Sequence, residues 1–127
     1  MKYIRVYAGP DGESHFADVE VALPPVAFVP GKPPIGFSAP IPVTALNFVA
    51  IPTDWDGEWH PTPRRQFWCT LAGEALVTTS DGEQRHLTPG TVVLLEDQTG
   101  KGHNTRVVGT EAYFGALMPQ RETWRPR

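Results

Sequence analysis

The stretch His60-Pro61-Thr62-Pro63-Arg64-Arg65-Gln66-Phe67-Trp68-Cys69-Thr70-Leu71-Ala72-Gly73 decides how this chain of 127 residues is read. Gln66 to Ala72 reads as a strand, and Gly73 ends it at a corner. Working outward, Glu74 to Thr79 reads as the partner strand across that corner. Ser80-Asp81-Gly82-Glu83 is a hairpin turn with Asp-Gly at its centre, and Gln84 to Leu87 is the return. Thr88-Pro89-Gly90 turns again into the apolar run Thr91 to Leu95. That run is short and β-branched at its start, which favours a buried strand over a helix. Glu96 to Gly102 is a polar loop, and His103 to Val108 and Ala112 to Met118 are the last strands.

The first third is looser. Lys2 to Tyr7 reads as a strand and Gly9-Pro10-Asp11-Gly12 as a turn. A second extended stretch holds Phe16, Val19, Val21 and Leu23. Residues 24 to 42 contain seven prolines, so they form an extended arm that belongs at a sheet edge. The arm ends in a strand from Val43 to Ile51. Short strands at regular spacing, with Gly/Pro turns and no helical period, predict an all-β sandwich or barrel with little or no helix. No boundary divides the chain. One domain is expected over 1–127, with N-terminal strands and arm at 1–42, a barrel core at 43–118 and a short tail at 119–127.

Composition bounds the function. The apolar fraction is 40%, the charged fraction 20% and the net charge −3. A nucleic-acid partner would need a basic face, so none is expected. No apolar run reaches membrane length and the N-terminus lacks a signal-peptide core, so no membrane association is expected. Cys69 stands alone; it cannot form an internal disulfide, and a cytoplasmic location is the expectation.

The spacing from His60 through Gln66 to Gly73, followed by Pro89-Gly90 and then Gly100-Lys101-Gly102-His103, resembles the two-part signature of the cupins. There, His-x-His, three or four residues, Glu, six residues and Gly are followed later by Gly, a Pro-containing turn and a third His. The register from His60 to Gly73 fits without a gap. Thr62 occupies the place of the second His and Gln66 the place of the Glu. The loop before His103 is longer than usual, and Val107 replaces an Asn that often follows. The resemblance covers residues 43 to 118, with motif support from 57 to 104.

The resemblance implies a cupin-type jelly-roll β-barrel with Gln66 pointing inward. Alternation then carries Trp68, Thr70 and Ala72 inward and sends Phe67, Cys69 and Leu71 the other way, toward the opposing layer. His103 takes Thr105 and Val107 with it. The expected pocket has His60 and His103 as candidate catalytic residues. Gln66, Trp68, Thr70, Thr105 and Arg64 are its ligand-binding residues, Arg64 because it shares the parity of Gln66. His15 and His86 read as surface residues, and Glu58 as an exposed loop residue that could reach the mouth. By resemblance, His60, Gln66 and His103 could hold one divalent metal, Fe, Mn, Ni or Zn. Gln brings no charge and Thr62 is a poorer donor still, which weighs against a metal. Three functions stay open: a metal-dependent oxygenase, isomerase or lyase on a small organic acid; a metal-free enzyme with a His general base; and a non-catalytic binding or sensing module. A small-molecule ligand is the expected partner. A homodimer is expected too, with the Pro-rich arm as its joining element.

Overall fold

Fourteen prolines and twelve glycines break this chain into short extended runs. The computed structural model describes residues 1–122, 124 and 125; residues 123, 126 and 127 of the expected tail lie outside the described residues. Among the described residues there are strands and no helix. The strands are β1 (Lys2–Ala8), β2 (Ser14–Glu20), β3 (Pro25–Val26), β4 (Ile35–Gly36), β5 (Asn47–Ile51), β6 (Asp56–His60), β7 (Gln66–Ala72), β8 (Glu74–Thr79), β9 (Gln84–Leu87), β10 (Val92–Leu95), β11 (His103–Val108) and β12 (Tyr113–Pro119). A six-stranded sheet runs β2-β1-β10-β7-β12-β5 and a four-stranded sheet β6-β11-β8-β9. Only the pairing of β1 with β10 is parallel; the others are antiparallel.

The core lies between the two sheets. Val6, Val93, Leu95 and Tyr113 from the six-stranded sheet meet Val77, Leu87 and Val107 from the other. A second apolar cluster sits on the outer face of the six-stranded sheet. There Tyr3, Phe67 and Leu94 are covered by Ile41 of the arm and by Trp124. This corrects the expectation for Phe67: it faces away from the opposing sheet and is buried by the chain's own arm, while Leu71 on the same side stays exposed.

Three local expectations are also corrected. β8 is not the partner of β7, which is flanked instead by β10 and β12. Gly73 carries the chain from one sheet to the other, with φ at 75°, and a Cβ there would collide with the Ala112 carbonyl oxygen. The strand expected from Val43 begins only at Asn47. Strand β6 was not legible as one, because Asp56-Gly57-Glu58 has turn composition. Its pairing with β11 is irregular and Glu58 sits at φ 57°. The arm is part free and part docked. Its middle forms the two-residue hairpin β3/β4, exposed throughout, while its end returns to the sheet, where Gln120 Nε2 donates to the Pro42 carbonyl at 3.1 Å.

Candidate functional site

Where β6 and β11 run side by side, His60 is directly opposite His103 in the register. Their ring centroids are 5.3 Å apart. Both rings line a cavity of about 100 Å³ between the sheets, together with Gln66 and Trp68 from β7, Thr105 from β11 and Thr62 from the turn before β7. Val77, Val93 and Leu95 supply apolar wall, and Trp55 stands at the exposed rim. The indole of Trp55 lies across Gly57, where even a methyl group would collide with it. Glycine at that position therefore lets the indole rest beside His60.

Each histidine is held by one ring nitrogen. His60 Nδ1 is 3.1 Å from the Gly57 carbonyl and 3.2 Å from that of Glu58. His103 Nδ1 is 2.6 Å from the Asp97 carboxylate, and both residues are buried, at 3% and 0% exposure. Among the described residues neither Nε2 has a hydrogen-bond partner. A carboxylate at Nδ1 fixes the tautomer and aims the ring. The other oxygen of Asp97, Oδ1, is buried without a partner.

Asp97 was missed by sequence reasoning, which placed Glu96 to Gly102 in a polar loop. The loop is polar, but Asp97 is fully buried and the Glu96 side chain keeps only 8% exposure. Glu96 is clamped between Arg5 at 2.5 Å and Arg65 at 2.7 Å, and Arg65 also donates to the Trp124 carbonyl. This ion cluster ties β1, the end of β10, the turn before β7 and the C-terminal segment together beside Asp97. The signal was present: two adjacent acids directly follow the apolar run Val92-Val93-Leu94-Leu95.

Two expected pocket residues are not on the cavity wall. Arg64 is exposed. The alternation that pointed it inward does not extend back past Gln66, because residues 61–65 form a turn in which the Thr62 hydroxyl donates to the Arg64 carbonyl at 2.8 Å. The buried guanidinium is that of Arg65. Thr70 does point inward but is spent on structure, its hydroxyl 2.6 Å from that of buried Tyr113. Tyr113 also accepts the Trp68 indole N–H. Burial pushes the Tyr113 hydroxyl above the ordinary tyrosine range, partly offset by these two hydrogen bonds. Trp68 itself is half-buried, since one face is open to the cavity. Glu58 is exposed. His15 pairs with Asp81 at 3.1 Å and exposed His86 with Glu74 at 2.9 Å, both away from the cavity.

The residues present fit a divalent metal poorly. The set is two imidazoles and a neutral amide, and Asp97 is engaged at His103 Nδ1. Among the described residues no three His, Cys, Asp or Glu side chains cluster as metal ligands. A resident metal normally takes three ligands of imidazole or anionic character.

No protein-family model and no curated protein matches the sequence. Solved structures do. A Cupin 2 conserved barrel domain protein from Salinispora arenicola aligns with a TM-score of 0.50 at 18% identity, over 61% of this chain and 62% of that one. The Cnp3 cupin domain of Schizosaccharomyces pombe aligns with a TM-score of 0.51 at 18% identity, over 85% of this chain and 73% of that one. The DMSP lyase DddQ from Ruegeria pomeroyi gives a TM-score of 0.49 at 24% identity, over 65% of this chain and 41% of that one. The chain thus has the cupin fold, an all-β barrel. Among the described residues no helix is long and apolar enough to cross a membrane.

Proposed function

We propose that this cupin-fold barrel binds a small molecule between its sheets, and that His103 serves there as hydrogen-bond acceptor and general base without a metal. The buried Asp97–His103 pair, set beside His60, carries the reading. A carboxylate on Nδ1 leaves Nε2 as the basic nitrogen and stabilises the imidazolium formed when it takes a proton. His60, with its Nδ1 on backbone carbonyls, presents the same nitrogen from the neighbouring strand and is placed to pass that proton on. Gln66, Thr105 and the indoles of Trp55 and Trp68 orient the molecule. Size is a constraint: a cavity of about 100 Å³ holds a body of about four heavy atoms, since benzene, with six, fills an engineered cavity of about 150 Å³.

The experiment is a tryptophan-fluorescence screen of small acids, alcohols and amines on chelator-treated protein, with product analysis by NMR. Saturable binding that His103→Ala abolishes supports the reading. Product formation separates an acid/base enzyme from a binding or sensing module. Binding that appears only after Fe, Mn, Ni or Zn is added refutes the metal-free mechanism.

We also propose that two copies associate through the arm and strand β5. From Val21 to Thr53 only Lys32 is charged, in a protein that is 20% charged. Phe28, Val29, Ile35, Phe37 and Phe48 of this segment are exposed, Phe48 at 75%. β5 is the open edge of its sheet. An uncharged, apolar, unpaired edge is self-complementary and favours an isologous contact.

A further inference from the structure

We infer that the ligand of this cavity is a small organic ammonium, a primary amine in its protonated form, rather than an anion. The inference rests on the reading of the cavity as a small-molecule site and names the chemistry that site would take.

It follows from counting donors and acceptors around the wall. A carbonyl oxygen only accepts, so His60 Nδ1, set against the carbonyls of Gly57 and Glu58, carries its ring's proton. His60 Nε2 is then a lone pair. His103 Nδ1 donates to Asp97, so in the neutral ring its Nε2 is a lone pair as well. The Thr62 hydroxyl has one proton, and that proton goes to the Arg64 carbonyl. Thr62 Oγ1 can therefore only accept from Gln66, which presents its NH₂ group at 3.2 Å. The Gln66 carbonyl oxygen remains as a third acceptor. These three acceptors come from β6, β11 and β7, so both sheets contribute.

The donor side holds no cation. The indole N–H of Trp68 is taken by Tyr113. No Lys or Arg lines the cavity. Arg64 is exposed and Arg65 is committed to Glu96 and Trp124. The donors left are the Thr105 hydroxyl, the second Nε2 proton of Gln66 and the indole N–H of Trp55 at the exposed rim, all of them neutral. A carboxylate entering here would face three lone pairs and no cationic partner, leaving its buried charge uncompensated. An ammonium brings three N–H donors to those three acceptors. Its charge also favours the faces of Trp55 and Trp68, both on the wall.

Two measurements test this on the full chain after chelator treatment, at about pH 8, above the ordinary imidazole range. Nitrogen-15 NMR of the histidine rings should show the Nδ1–H tautomer at both His60 and His103. Methylammonium and ethylammonium should then change tryptophan fluorescence saturably, while acetate and methanol do not. Gln66→Leu should weaken the amine at least about tenfold, the scale of one hydrogen bond to a charged group, and Gln66→Glu should tighten it. An Nε2–H tautomer at either ring, or no saturable amine binding, overturns the inference. If acetate or methanol binds instead and His103→Ala abolishes that binding, the small-molecule site stands and only the ammonium assignment falls. If no probe of any class binds, or binding ignores both His60→Ala and His103→Ala, the cavity reading falls with it.

Discussion

Gly102→Ala should damage stability and site together. Gly102 is buried immediately before His103 and has φ at +73°. A Cβ there would land on the carbonyl carbon and oxygen of His60 and on the nitrogen of Pro61. Backbone cannot swing aside as a flexible side chain can, so the starts of β11 and the end of β6 must separate. The left-handed conformation alone costs an L-residue about 1–2 kcal/mol, and forcing packed backbone apart adds about 1–3 kcal/mol. The expected loss is therefore about 2–5 kcal/mol. Gly82→Ala is the control: it has φ at +92° with nothing within 4 Å, so it meets only the conformational cost. Urea titrations of both variants isolate the steric part as their difference. The same opening should pull His60 off His103, visible as shifts of both ring signals in Gly102→Ala and in neither ring of Gly82→Ala. Equal destabilisation by the two substitutions would refute the argument that Gly102 is where the chain clamps the two histidines together.

Tyr113→Phe should cost about 1–3 kcal/mol, because Trp68 Nε1 and Thr70 Oγ1 lose their partner. Its pH dependence has a definite sign. Burial raises the folded-state pKa of Tyr113, so its contribution is intact below the unfolded value of about 10 and is lost as pH rises beyond it. Tyr3 is raised too, chiefly by burial, so the variant should flatten only part of the alkaline fall in urea midpoint; no change in slope contradicts the assignment. Asp97→Ala should leave His103 Nδ1 free, and the ring should then populate both tautomers in nitrogen-15 spectra; an unchanged tautomer shows that Asp97 does not hold it. Arg65→Ala, which leaves Glu96 with Arg5 alone, should cost about 3 kcal/mol in thermal or urea unfolding, the scale of a broken buried pair. Light scattering should give twice the 14.0 kDa chain mass, and replacing Phe28, Val29 and Phe48 with Ser should return it to one; an intact chain that is monomeric at micromolar concentration removes the dimer.

Much of the fold was legible in the sequence for local reasons. Gly73, Asp81-Gly82 and Pro89-Gly90 punctuate the chain by their own dihedral preferences, and strands β7, β8, β9 and β11 fall where those turns and the residues between them put them. The spacing of His60, Gln66 and His103 likewise carried the resemblance that placed all three at one site. What stayed hidden depended on contacts across the chain. β6 exists because β11 pairs with it, and nothing in Asp56-Gly57-Glu58 announces a strand. The outward turn of Arg64 and inward turn of Arg65 were set by a turn that breaks alternation, and by Glu96 waiting as a partner thirty-one residues away. Asp97 reads as a solvated loop residue until the loop folds under β11 and gives its carboxylate the His103 ring. The sequence by itself determined strand, turn and the residue types at the site, because those follow from the preferences of single residues and short windows. Which lone pairs face the cavity was decided only by the tertiary structure, because a histidine's tautomer and an amide's orientation are set by the partner on the other side.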